Sequence, residues 1–551
     1  MCGIFCIFGS NSIENVCNFM STYACFKPLL DRRGPDYQSS VALQCANHRF
    51  VFGASVLWLQ GKETTKQPVE NDRSVFVFNG DIFGGTSIMD SVRIDVGDTV
   101  PLLELMEKSE NVIEDLINLQ GPFAFIYLDK KNCKLYFGRD PYGRRSLLIG
   151  MKENAVILAS VARRDLDINF IELPALGIFA YDLQTAQVEL LSWPFKHSNF
   201  LEKLDKLQTL LNKNVKVLQG DEVVQCTFVL PTDDDLKVLQ LQSYSTFPIF
   251  LNNPKFFENV KQLKDLLEKA IEKRISTQPK FCHNCILTKT LCKHSVTGVL
   301  FSGGVDCAIL ALFADKYTDK DCSIDLLNVS FNDKAPDRLT GLQTLEELKQ
   351  LRPERTWNFV EINVNENELD IERKGTIADL IYPLNTVLDD SLGCALWFAS
   401  RGQTDNYISP CRVLLVGMGA DELFGGYTKH RAALKRNGWR ALYETLESDW
   451  QNISFRNLAR DDRVVSDHGR QLRTPYLDED VVEFVRNLHC WERTCPIDYL
   501  PHGIGEKILL RTLAYHLGLK NAAHLRKRAL QFGSRIANSK ENAHDVSVRL
   551  L

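Results

Sequence analysis

The sequence predicts two domains of different class: a strand-rich α+β unit, then an α/β unit built on a parallel sheet and finished by a helical tail. Three observations carry this. A chain of 551 residues exceeds the size at which a single core stops growing. Residues 1–195 run as short apolar segments divided by turn signals, with few helical stripes. From residue 254 onward, apolar strands alternate with helix-period segments, the pattern of a parallel sheet covered on both faces.

In the first half, Phe50–Leu59, Ser74–Phe78, Phe123–Leu128, Leu135–Phe137 and Ala155–Ser160 read as strands. Asn79-Gly80 and Asp140-Pro141-Tyr142-Gly143 supply turn chemistry between them. The main helical candidate is Leu102–Leu119, with Leu102, Leu105, Met106, Val112, Ile113, Leu116 and Ile117 on one stripe. Residues 196–253 read as a connector with some strand character. The stripe Phe256, Phe257, Val260, Leu263, Leu266, Leu267, Ala270 and Ile271 then opens a second domain over 254–540. In it, strands are expected at Val296–Phe301, Ile324–Phe331, Trp357–Val364 and Arg412–Val416, with helices at Leu342–Gln350 and Asp370–Leu380 between them. A polar stretch, 276–295, interrupts the start as an insertion, and 541–551 form a tail.

Composition narrows the function classes. A net charge of −5 with interspersed signs gives no basic field for nucleic acid or anionic membrane. No apolar run reaches membrane-spanning length, and the N-terminus lacks a charged segment before an apolar stretch, so a cytosolic protein is expected. Most of the 16 cysteines, such as Cys133, Cys394 and Cys411, sit in apolar runs as core thiols. One group stands apart: Cys282, Cys285, Cys292 and His294. Its pairwise spacing suits zinc, but its order is not that of a standard finger, so a metal site and a set of free surface thiols both stay open.

Removal of Met1 would leave Cys2 holding both a thiol and a free α-amine. The amine can accept the thiol's proton directly or through water, which makes one residue a nucleophile with its own base.

A phosphate site is expected where Val296–Phe301 runs into Ser302-Gly303-Gly304-Val305-Asp306-Cys307 and an apolar helix. A strand, a glycine turn and a helix N-terminus aim backbone amides at one point. Asp306 suits magnesium bridging phosphates rather than the phosphates themselves. A second unit, Val413 to Tyr427, carries Val416, Gly417, Asp421 and Glu422 beyond another strand, so that Asp306 and Asp421 could share Mg²⁺ at the carboxyl edge of the sheet.

These motifs resemble the glutamine-dependent asparagine synthetase family, above all its asparagine synthetase domain-containing branch. The resemblance is most specific in Ser302–Cys307 and Gly419–Tyr427. It extends to Arg33-Gly34-Pro35-Asp36, Asn79-Gly80-Asp81, Gly138–Gly143, Arg460–Arg463, Arg473–Asp478 and Lys527–Gly533. It implies an N-terminal Ntn-type αββα sandwich acting as a class II glutamine amidotransferase, followed by an ATP-pyrophosphatase (HUP-like) domain. By this resemblance Cys2 attacks glutamine's carboxamide, Asn79 and the Gly80 amide hold the oxyanion, and Asp98 holds the substrate ammonium. Leu300, Ser302, Gly303, Gly304, Asp306, Cys307, Val416, Gly417, Asp421, Glu422, Lys527 and Arg528 would bind ATP, with either Lys527 or Arg528 neutralising pyrophosphate. Glutamine, ATP and aspartate are the implied substrates, and a homodimer the assembly left open.

Three positions depart from the family pattern. Val56 stands where an arginine grips glutamine's α-carboxylate, and Arg49, seven residues earlier, is the substitute considered. Asn385 stands where a glutamate serves the acyl-adenylate, and it exchanges no proton at neutral pH; Asp389 and Asp390 are the candidate compensations. Cys307 replaces a serine, which removes a hydroxyl but leaves the loop amides. The expected activity is glutamine- or ammonia-dependent amide formation through an adenylate, aspartate being the default acceptor. Amidation of another carboxylate and a non-catalytic nucleotide-binding protein stand beside it.

Overall fold

Gly3–Ser10 is buried along its whole length except for its last residue, which requires cover on both faces of the strand. A second sheet supplies one cover and the helix Asn15–Arg33 the other, in a computed structural model that describes residues 2–10, 15–85, 96–194, 197, 199–218, 228–232, 235, 246–497, 500, 503–537 and 541–550. The first sheet has the spatial order Phe170–Glu172, Leu148–Lys152, Ala155–Ala159, Gly3–Ser10, His48–Val56 and Tyr37–Cys45, every pair antiparallel. Its edge strand Tyr37–Cys45 alternates between half-buried and exposed residues, as expected with one face in water.

The second sheet runs Val215–Leu218, Val188–Ser192, Gly177–Asp182, Lys134–Arg139, Phe123–Asp129, Ser74–Gly80 and Val69–Glu70. Ile4, Cys6, Phe8, Phe50 and Phe52 from one sheet pack against Val75, Val77, Ile126, Phe137 and Phe179 from the other. The helices Thr99–Lys108 and Val112–Ile117 cover the outer face through Leu102, Met106 and Leu116. This is the αββα sandwich. The single helix expected over Leu102–Leu119 is two, because Ser109 adopts an extended backbone (φ −70°, ψ 137°). Within 196–253, Phe200–Leu211 and Val215–Leu218 pack onto the second sheet, while Thr246–Asn252 joins the following domain.

The second domain holds a five-stranded parallel sheet in the order Trp357–Asn363, Ile324–Ser330, Thr297–Leu300, Val413–Leu415, Gln471–Arg473. Strand order reverses at Thr297–Leu300, so a crevice opens beyond the carboxyl ends of this strand and Val413–Leu415. Both glycine turns emerge there.

The domains share one apolar cluster: Phe5, Phe26 and Phe170 of the sandwich are continuous with Leu327, Val413 and Leu472. Above it lies a buried ionic joint. Asp462 accepts from Arg33 at 2.8 Å and Arg145 at 3.3 Å, while Asp81 accepts from Arg145 at 3.1 Å and Arg473 at 3.0 Å. Arg144 adds Glu479 at 2.6 Å, and Arg412 pairs with Asp36. The arginines and acids of the signature runs therefore hold the two domains in register. Among the described residues, no helix is long and apolar enough to cross a membrane.

Candidate functional site

Cys2 lies at the head of the Gly3–Ser10 strand, where Gly3 pairs with Ser55. Its backbone nitrogen donates to Asn79 Oδ1 at 3.0 Å. That bond fixes the Asn79 amide, and its buried Nδ2 has no hydrogen-bond partner. A buried donor left unpaired is costly, so it marks a place built for an acceptor. Gly80 follows where a Cβ would stand 2.5 Å from the Pro122 carbonyl oxygen, so the bend admits glycine alone. Gln67 fixes the other side, its Oε1 accepting from Phe78 N at 2.7 Å and its Nε2 lying 3.8 Å from Cys2 Sγ.

Asp98 completes this pocket. Its carboxylate accepts from Ile82 N at 3.0 Å, yet burial and then the nearby Asp81 push its pKa up to about 7. No cation faces it. Burial also pushes the Cys2 thiol up. The cavity, about 40 Å³, is lined by Cys2, Gly80 and Asp98, with Trp58 and Gln60 on the opposing wall. A water needs roughly 10–15 Å³ by this measure, so the space suits a few waters and its wall must move to admit an amino acid.

Val56 is buried in the lining, and no arginine or lysine of the described chain lines the cavity with it. Arg49 does not replace it. It pairs with Gly9 at the far end of the ladder, seven residues and roughly 23 Å of strand from Val56 at about 3.3 Å per residue.

The second cavity, about 910 Å³, opens at the strand-order reversal. Leu300, Leu327, Val329, Leu392 and Val416 form an apolar end, and Ser302 and Gly304 lead to an ionic end. Gly303 does not face the cavity. It takes φ +80°, and a Cβ there would stand 2.5 Å from Gly341 N, so it seats the loop against the helix Pro336–Leu351. Cys307 lines the cavity beside the loop, its Sγ donating to the Gly304 carbonyl at 3.2 Å, and burial raises its thiol to about 11, which keeps it neutral.

Lys507 occupies the centre of the ionic end and was not legible as a site residue. Its Nζ lies 2.6 Å from Asp306 and 2.6 Å from Asp421, and its side chain is almost fully buried. Lys527 reaches Asp421 at 2.9 Å, and Arg528 faces Thr340 Oγ1 at 3.4 Å. The two lysines hold the Asp421 carboxyl well below the usual carboxylate range against the opposing effect of burial. Asp306 Oδ1 is buried without a partner. Two carboxylates at strand ends, one with an unsatisfied oxygen, fit a magnesium ion accompanying phosphates. The sequence signal for Lys507 was a lone lysine entering the apolar run Ile508-Leu509-Leu510, where a buried ammonium needs acidic partners. Beyond it, Glu422 accepts from Tyr427 Oη at 2.6 Å and lies 3.4 Å from Arg456.

Asn385 does not line this cavity, although Leu388 of the same segment does. Asn385 is exposed, and its carbonyl accepts from Ser547 N at 2.8 Å. Asp389 and Asp390 do not compensate for it: Asp389 caps the helix Val387–Arg401 through Thr386 and pairs with Arg460 at 2.7 Å. Asp390 is buried among Arg373, Ser547 and Arg549, at 2.9, 2.7 and 2.9 Å. The tail that holds it thus belongs to the domain's packing. The structure does bring Cys282, Cys285, Cys292 and His294 together, with their donor atoms all within 4.8 Å of one another.

Comparison with known proteins identifies two family matches along the chain. The glutamine amidotransferase domain family matches residues 55–164, and the asparagine synthase family matches residues 288–441 and 435–547. A Drosophila melanogaster asparagine synthetase domain-containing protein is 38% identical, the alignment covering 100% of both chains. Homo sapiens asparagine synthetase domain-containing protein 1 is 36% identical over 95% of this chain and 94% of that one. A putative glutamine-hydrolysing asparagine synthetase of Methanocaldococcus jannaschii is 24% identical over 79% of this chain and 67% of that one.

Proposed function

Since this chain belongs to the asparagine synthetase domain-containing family of glutamine amidotransferases, we propose that it forms a carboxamide at the expense of ATP, with aspartate as the acceptor and asparagine as the product. The observation that carries this reading is the Asp306–Lys507–Asp421 cluster at the carboxyl ends of two parallel strands, beside an apolar recess of nucleoside size. Asp306 and Asp421 would hold magnesium, which when bound neutralises charge on the ATP phosphates. Lys507, Lys527 and Arg528 meet the charge of the departing pyrophosphate, and the amides of Ser302–Gly304 bind and orient the phosphate chain. The acceptor carboxylate displaces pyrophosphate from the α-phosphorus, giving an acyl-adenylate. Ammonia then adds to its carbonyl carbon, AMP leaves, and a proton lost from nitrogen completes the amide.

Val56 and the small Cys2 cavity favour ammonia over glutamine as the nitrogen source. Asp98 can still bind an ammonium group, and the unpaired Asn79 Nδ2 can still donate to an oxyanion, but among the described residues no arginine or lysine lines the cavity to grip the glutamine carboxylate. Pyrophosphate release by the purified protein with ATP, magnesium and ammonium tests the reading. Release that depends on aspartate supports it; none, with ATP bound, sinks it. Replacing ammonium by glutamine measures the first half separately.

A further inference from the structure

The insertion between the helix Pro254–Ser276 and the strand Thr297–Leu300 has almost no core of its own. Leu287 and Leu291 are exposed, and no regular strand or helix lies in 277–296. Twenty residues of this kind require a staple to hold one shape. Four donors converge inside it. His294 Nδ1 lies 3.4 Å from Cys282 Sγ and 3.6 Å from Cys285 Sγ, and Cys292 Sγ completes the set. Tetrahedral zinc with Zn–S near 2.3 Å and Zn–N near 2.0–2.1 Å requires S···N edges of about 3.6 Å and S···S edges of about 3.8 Å. The two S···N separations match before any ion is present.

We propose that Cys282, Cys285, Cys292 and His294 bind one zinc ion in a closed, structural Cys₃His site that braces the wall of the Cys2 pocket from the synthetase side. Three soft sulfurs and one imidazole in tetrahedral array select zinc over magnesium or calcium, and four protein ligands leave no position for a substrate. The knuckle's outer contacts define what it supports. Phe281 lies 6.0 Å from the Trp58 ring, Lys289 Nζ lies 5.5 Å from its centroid, and Lys289 reaches Glu63 at 3.7 Å. On the opposite side His283 N donates to the Pro410 carbonyl at 2.8 Å, and Lys293 pairs with Asp321 at 2.8 Å. Trp58 lines the Cys2 cavity, so the knuckle couples that wall to the second domain.

The full chain, expressed in zinc-supplemented medium and purified without chelator, is expected to carry one zinc per chain by elemental analysis. X-ray absorption should give three sulfur and one nitrogen scatterers. Extraction of the zinc by a thiol-blocking mercurial should release it stoichiometrically and make 277–296 the first segment cut by protease. Cys285→Ser and His294→Ala should each lower retained zinc at least tenfold after dialysis. The proposal is overturned if the wild-type chain holds no zinc while its cysteines titrate as free thiols or disulfides. Full retention of zinc by a Cys282→Ser/Cys285→Ser double variant would also overturn it. The wild-type measurements stand even where a variant fails to fold.

Discussion

Asp81 accepts a hydrogen bond from Arg473 at 3.0 Å across 392 residues of sequence. Asp81 stands two residues after Asn79, and Arg473 two residues after Gln471, which lines the Cys2 cavity. The Asn79–Gly80 turn beside the Cys2 cavity is therefore set by a charge from the second domain. Its pKa is held below the ordinary carboxylate value, Arg473 and Arg145 outweighing burial.

Arg473→Ala leaves Asp81 with Arg145 and Gln60 but removes one of its two buried cations. It should destabilise the chain by about 1–3 kcal/mol, the usual cost of one lost hydrogen bond to a buried charged group. Asp81 contributes stability above the normal carboxylate range that is lost as pH falls through its depressed pKa. The variant should therefore lose the wild type's loss of stability in strong acid at this site. Denaturant unfolding followed from neutral pH down into strong acid, below the ordinary carboxylate pKa, measures both effects, and an unchanged midpoint would refute the joint.

Asp98 behaves in the opposite sense. Its carboxyl is raised to about 7 from an ordinary 3.8, so the folded chain is most stable with the group neutral and loses stability as pH rises from about 4 towards 7. Three pKa units correspond to on the order of 4 kcal/mol. Asp98→Asn should be more stable than wild type at pH 8 and equal to it near pH 4. It should also lose any affinity for glutamine, since the ammonium partner is gone. Thermal unfolding across that range, with and without glutamine, distinguishes the two effects.

Asn79→Ala removes the unpaired donor and should lower glutamine-dependent turnover by about 10²–10³, the effect of one oxyanion donor. The ratio of glutamine- to ammonium-supported pyrophosphate release is the readout. A ratio that does not fall would show that Asn79 Nδ2 meets no oxyanion.

Lys507→Met should abolish pyrophosphate release and destabilise the ligand-free protein, because Asp306 and Asp421 would then face each other with Lys527 alone. Added magnesium should restore stability to this variant more than to wild type, since the ion can take the place the ammonium left. Melting temperature against magnesium concentration tests it; parallel curves would refute the shared site.

The phosphate loop was legible because a strand, a glycine turn and a helix are adjacent in sequence: Thr297–Leu300, Ser302–Gly304 and Val305–Tyr317. Asp421 was legible for the same reason. Lys507 was not, since its meaning depends on two carboxylates far away in the chain. The helix Asn15–Arg33 was missed because Pro28 lies inside it. An interior proline argues against a helix, although Phe19, Tyr23, Phe26 and Leu30 keep helical spacing and are buried. Arg49 failed as a substitute clamp for a reason of register: seven residues are a short step in sequence and the length of the sheet in space.

Of residues 541–551, read from sequence as a tail, the described 541–550 are a working part of the second domain. Val387 N and Leu388 N donate to the Asp545 and Ala543 carbonyls at 2.8 and 3.0 Å, and Ser547 and Arg549 bond Asp390, while Leu550 is buried and its carbonyl meets Arg164 of the sandwich. The helix they secure, Val387–Arg401, lends Leu388, Leu392 and Leu396 to the larger cavity. Deleting 544–551 leaves Asp390 with Arg373 and Cys394, both on Oδ1, and should cost about 1–3 kcal/mol for the unsatisfied Oδ2. Hydrogen exchange at 386–396 should rise, and ATP should bind more weakly. Ser547→Ala with Arg549→Ala keeps Leu550 in place and isolates the polar part. Exchange as slow as wild type in both variants would show that the helix start holds without the tail.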